Sequence, residues 1–160
     1  MKSRSIVVTD DDMDRLSRLV QALKHSLFRD QLQLESLEQT LASAEVAPGE
    51  RVARDVIRMT STIRVLDLDT RKKELYTLVF PDNADISTSQ ISVLAPVGIA
   101  LLGRRQGDVI ETKVPGGARR LRVEWVSQRP RTARRRIWPD RTNRRELHSG
   151  RTIRRTILAA

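Results

Sequence analysis

The stretch that most constrains this chain runs from Ser92 to Gly117, S-V-L-A-P-V-G-I-A-L-L-G-R-R-Q-G-D-V-I-E-T-K-V-P-G-G. Pro96 suits the first position of a short helix, because the N–H it lacks would be unpaired there anyway. Val97, Ala100 and Leu101 then recur at helical spacing and form one apolar stripe. Gly103 follows, where a left-handed C-terminal cap is expected. Gln106-Gly107-Asp108 reads as a turn, since Gly tolerates positive φ and Asp bonds its own backbone. Asp108 to Val114 alternates as a strand, Pro115-Gly116-Gly117 breaks it, and Leu121 to Val126 alternates again, so the last part reads as a β-hairpin. The order predicted is strand, short capped helix, strand, turn, strand.

Upstream, the periodicity is helical. Ile6 to Val8 is a short β-prone strand or extended arm, and Thr9 is a good N-cap with Asp12 three residues on, a variant of the capping box. Asp10, Asp11, Asp12 and Asp14 crowd the first turn. They read either as a metal cluster or as complements to the helix macrodipole. The second reading is preferred, because adjacent residues on a helix point in different directions. Met13, Leu16, Leu19, Val20, Leu23 and Leu27 make one amphipathic helix, and Leu34, Leu37 and Leu41 continue a second. With a tip between Lys24 and Gln31 these predict a short antiparallel helical hairpin, a small coiled coil. Ala47-Pro48-Gly49-Glu50 is expected to end the second helix as a hinge.

From Asp55 the period changes to that of strands. Met59–Leu66 is expected as a first strand region, Leu75–Phe80 as the next, Asp85–Gln90 as a loop, and Ile91–Leu94 as the approach to the helix at Pro96. The fold class predicted is α+β: the helical hairpin, then four or five mostly antiparallel strands with one short helix. Leu75, Val79, Ile110, Leu121, Val123 and Trp125 are the expected sheet core. The organisation predicted is a hairpin over 1–50, a sheet domain over 51–127 and an arginine-rich, flexible tail over 128–160.

The net charge of +10 is an average over unlike parts. From Gln128 onward there are eleven arginines against Asp140 and Glu146, a net +9, which leaves +1 for the rest. Arguments from basic charge therefore concern the tail. Its dense like charge and few apolar residues cannot bury enough surface to offset ordering. Arg134, Arg135, Arg136, Arg144 and Arg145 are candidates for neutralising phosphates, and Trp138 for stacking on exposed bases. There is no cysteine, hence no disulfide and no thiolate metal site. No run is long enough to span a bilayer and the N-terminal apolar stretch is too short for a signal-peptide core, so a cytoplasmic protein without a membrane partner is expected.

The motif set A-P-V-G-I-A-L-L-G, Q-G-D and V-P-G-G resembles, in order and spacing, the C-terminal domain of the Gre transcript-cleavage factors. T-L-V-F-P-D (Thr77–Asp82) and S-Q-I-S-V-L-A-P-V-G (Ser89–Gly98) are more similar still to one branch, the regulator of nucleoside diphosphate kinase (Rnk). That resemblance implies a short helical hairpin joined to an FKBP-like domain, and bacterial RNA polymerase as partner, bound at the rim of its secondary channel. It assigns Leu94, Ala95 and Pro96 to the family's docking loop, although only the proline matches the family's Asp-Ser-Pro. Phe28 and Asp30 at the hairpin tip are the second candidate contact.

Catalysis is not expected. A cleavage-stimulating Gre factor uses two tip acids to hold a metal ion, which needs closely placed carboxylates. Asp30 is the only acid inside the tip, and Glu35, five residues on, does not share its helix face. The FKBP resemblance raises prolyl isomerisation, but that pocket is built from several aromatics, and this chain has two Trp, two Phe and one Tyr. His25 and His148 lie far apart with no nucleophile at useful spacing. The glycines do not make a phosphate loop. No cofactor or metal is expected. The function expected is a polymerase-binding transcription regulator that does not stimulate cleavage; the alternative is a nucleic-acid-binding accessory protein acting through its tail.

Overall fold

The computed structural model describes residues 5–27 and 30–128. The first strand, β1 (Val7–Thr9), is followed by helices α1 (Asp10–Lys24) and α2 (Gln31–Ala42) and by β2 (Glu45–Ala47). Then come β3 (Thr62–Asp67), β4 (Lys73–Val79), two single 3-10 turns, β5 (Gln90–Ser92), α3 (Pro96–Leu101), β6 (Val109–Val114) and β7 (Gly117–Ser127). The class is α+β, as the change of periodicity near Asp55 requires.

Thr9 caps α1 with its hydroxyl, which accepts the Asp12 N–H at 3.1 Å. The acidic first turn serves tertiary docking as well as the dipole. The Asp12 carboxylate accepts the Met59 N–H at 3.2 Å, and Asp10 accepts the Gly49 N–H at 3.3 Å. Leu16, Leu34 and Leu37 are fully buried, and one continuous apolar cluster runs from them to Ile63, Leu78, Leu121 and Val123 in the sheet. Burying three leucines is worth about 1.5–3 kcal/mol each. Hydrophobic burial thus joins the two helices to the sheet, with the Lys24–Glu38 ion pair (2.5 Å) contributing little because both side chains are partly solvated.

The second helix is shorter than expected. It stops at Ala42, and Glu45–Ala47 forms β2, which runs parallel to β1 in a two-stranded sheet. The β1–β2 pair is anchored to the rest by the Val7 N–H, which donates to the Gly103 carbonyl at 3.1 Å. Gly103 sits at φ +72°, as its cap position predicts, and a Cβ there would lie 2.3 Å from the Ile6 side chain and 2.9 Å from the Val7 carbonyl oxygen. The glycine therefore serves both the cap and the close approach of β1.

The main sheet has the order β5-β4-β3-β7-β6. Expected as mostly antiparallel, it has three antiparallel pairings and one parallel one, between β4 and β5. The reason is the connection: after β4 the chain turns back through Pro81–Thr88 before β5 starts, so it re-enters in the same direction. β6 and β7 form the expected hairpin around Pro115-Gly116.

Two of the six expected core residues face the other way. Val79, Ile110, Leu121 and Val123 are buried, whereas Leu75 is 50% and Trp125 41% exposed. The cause is a β-bulge. Arg64 pairs with Trp125 while Val65 pairs with Val123, so Glu124 is an extra residue on β7. An extra residue reverses the alternation beyond it. Trp125 then turns outward and Val126 inward, where it is 9% exposed. Leu75 follows from register alone, since it lies opposite Arg64 on the outer face.

Candidate functional site

The motif-bearing segment builds one wall of an open cleft of about 1090 Å³. The cleft is lined by Pro96 and Ile99 of α3, Gln33 and Ser36 of α2, and Glu111 and Lys113 of the edge strand β6. Helix α3 is seated by Gly98. A Cβ at that position would lie 2.1 Å from the Ser92 carbonyl oxygen, so only glycine lets the helix lie this close to the end of β5. The segment before the helix is held by Ser92, whose hydroxyl accepts the Leu94 N–H at 3.0 Å and whose carbonyl accepts the Ala95 N–H at 3.0 Å. Ala95 then has extended backbone as N-cap, without a side-chain cap, and Pro96 starts the helix.

The three residues expected to dock are thus adjacent but unequal. Leu94 is 7% exposed and belongs to the core. Ala95 and Pro96 are half-buried, and Pro96 lines the cleft. Asp30 lies at the start of α2, exposed and making no side-chain cap bond. Leu27 is fully exposed and Leu32 is 77% exposed, so two leucines face solvent among the polar residues around the tip. Phe28, and Arg134, Arg135, Arg136, Trp138, Arg144 and Arg145, lie outside the described residues.

At one end of the sheet is a polar network that sequence reasoning missed. The Asp67 side chain accepts the Asp69 and Thr70 N–H groups at 2.9 and 3.0 Å and the Arg119 Nε–H at 2.8 Å. Arg119 also reaches Glu74 at 3.0 Å, and the Tyr76 hydroxyl donates to the same carboxylate. The Thr70 N–H, together with Arg119, holds the Asp67 carboxyl down at about 2. Burial pushes the Asp12 carboxyl up, against the Met59 N–H that lowers it. The network braces the turn after β3 and the start of β7; its signal in the sequence was D-L-D-T, an Asx-turn pattern between two strands. Among the described residues no group of three or more His, Cys, Asp or Glu is placed to hold a metal ion, and no helix is long and apolar enough to cross a membrane.

The arrangement of sheet, α3 and appended helices has known counterparts. The family described as "Transcription elongation factor, GreA/GreB, C-term" matches residues 52–128, and the Rnk N-terminus matches residues 4–46. A GreA/GreB transcription elongation factor structure from Nitrosomonas europaea superposes with a TM-score of 0.64 at 38% identity, covering 78% of this chain and all of that one. The chain belongs to the GreA/GreB family. Its Rnk-like N-terminal part sets it within that family. Transcription elongation factor GreA of Bartonella henselae is 37% identical over 102 residues, 64% of this chain and 65% of the relative. That of Rhodospirillum rubrum is 37% identical over 93 residues, 58% of this chain and 59% of the relative. The chain therefore spans about two thirds or less of the length of these GreA relatives.

Proposed function

We propose that this Gre-family chain is an RNA polymerase-binding regulator of transcription that does not itself stimulate transcript cleavage. In this reading residues 51–127 form an FKBP-like docking body that sits at the rim of the secondary channel. Residues 1–50 form a short helical hairpin directed at the channel, and the tail from 128 is an accessory segment. Ala95 and Pro96 make the docking contact at the start of α3, with Leu94 acting from within the core to hold them. Phe28 and Asp30 make the tip contact.

The observation that carries the reading is the character of the tip. Between Lys24 and Gln31 the only acid is Asp30, flanked in sequence by the exposed Leu27 and Leu32. Holding a divalent cation takes several convergent oxygens, and one carboxylate among leucines does not supply them. Such a tip favours occupying a site over chemistry. A 15-residue α1 spans roughly 22 Å at about 1.5 Å per residue, a short arm. The protein would thus compete with other factors for the channel.

The test is retention of the full chain by bacterial core RNA polymerase, followed by addition of a cleavage-competent GreA. Displacement by GreA and no RNA trimming in stalled elongation complexes are expected. Binding indifferent to GreA would refute the docking site, and trimming by the purified protein would refute the non-cleaving role.

A further inference from the structure

We propose that the outer face of the five-stranded sheet is a binding platform for single-stranded nucleic acid, with Trp125 as its stacking group. The face is ordered in three rows across β4, β3 and β7. Thr77, Thr62 and Ser127 pair in one row, Leu75, Arg64 and Trp125 in the next, and Lys73, Leu66 and Arg122 in the third. Hydroxyls thus lie on one side of an apolar and aromatic row, and cations on the other.

The placement of Trp125 follows from the bulge at Glu124. Without the extra residue the indole would lie in the core beside Val123. Instead it is 41% exposed, and Leu75, in the same row on the far side of Arg64, is 50% exposed. The Arg64 guanidinium lies over its ring at 5.9 Å from the centroid, at the outer limit of a cation–π contact. Bases stack on such a surface whatever their identity, at about 1–3 kcal/mol each.

Charge selects the ligand. Arg64, Lys73 and Arg122 face outward against one carboxylate, Glu124, which Arg64 and Lys73 approach at 3.4 and 3.3 Å. Arg122 is exposed and faces solvent at the rim of the third row. A surface with net positive charge around one aromatic and one leucine complements a polyanion with exposed π-faces.

The experiment needs no polymerase, so its failure is distinct from failure of the docking reading. In the full chain carrying Trp138→Phe, Trp125 is the only tryptophan. Titration with a 12-nucleotide oligouridylate should quench its fluorescence saturably. Trp125→Ala in the full chain should weaken binding of the labelled oligonucleotide about tenfold. Arg122→Gln, which keeps the indole, should lower the slope of log affinity against log salt by about 0.7. Thermal melts check that both variants fold. Two results overturn the proposal: no binding, or binding without quenching and with both variants unaffected. The second result assigns binding to the tail.

Discussion

Replacing Gly98 by alanine tests how the cleft wall is built. The new Cβ would stand 2.1 Å from the Ser92 carbonyl oxygen, 3.0 Å from its carbon and 3.2 Å from the Val93 Cα, all backbone atoms. Ordinary contact begins near 3.4 Å, so α3 and the end of β5 must separate by about 1.3 Å. The same oxygen accepts the Ala95 N–H, so separation also loosens the turn that presents Ala95 and Pro96. Overpacking of this kind costs about 1–3 kcal/mol, and the strained hydrogen bond roughly 1 more. Alanine returns about 1 kcal/mol through helix propensity. The net expectation is destabilisation by about 1–3 kcal/mol, read as a lower urea midpoint at unchanged slope. Gly116→Ala is the control: a Cβ there meets nothing within 4 Å, and stability should stay within about 0.5 kcal/mol. If Gly98→Ala is as stable as the control, α3 is not seated on Ser92, and the geometry assigned to the segment before α3 is wrong.

Three further outcomes are expected. Leu37→Ala should cost about 2–5 kcal/mol, because Leu37 is fully buried in the cluster joining helices to sheet; a loss below 1 kcal/mol in urea unfolding would show that the helices do not share that core. The Asp67 carboxyl, held at about 2 against an ordinary 3.8, contributes stability in full above about pH 4 that is lost as pH falls towards 2; the stability gap between the protein and Asp67→Asn should close over that interval, and a gap constant with pH would refute the Asp67–Arg119 contact. Leu27→Ser with Leu32→Ser should leave stability within about 0.5 kcal/mol while weakening retention on core polymerase; unchanged retention would remove the tip from the contact.

What was legible in the chain was local. Pro96 fixes its own φ, and Gly103 and Gly107 permit the positive φ their turns need, so α3, its cap and the turn before β6 could be read directly, and Thr9 announced α1 in the same way. What was not legible depends on pairing between distant segments. β2 is three residues long, with one charged residue, and it becomes a strand only because β1 lies beside it. Leu94 sits at the position the family resemblance assigns to docking, yet it faces inward, because the Ser92 hydroxyl and carbonyl fix the turn that follows β5.

The bulge shows how such pairing reaches a surface. Simple alternation places Leu121, Val123 and Trp125 on one face, and the most apolar assignment was therefore the core. The one clue against it was Val126: with Val123 inward, a second inward valine three residues later demands an extra residue between them. Pattern alone could not choose between burying Trp125 and burying Val126. Packing chooses, since an indole is far larger than the valine side chain accommodated beside Ile63, to which Val126 is paired. The exposed aromatic is the consequence, and it gives this sheet an outer face that differs chemically from both the cleft and the arm.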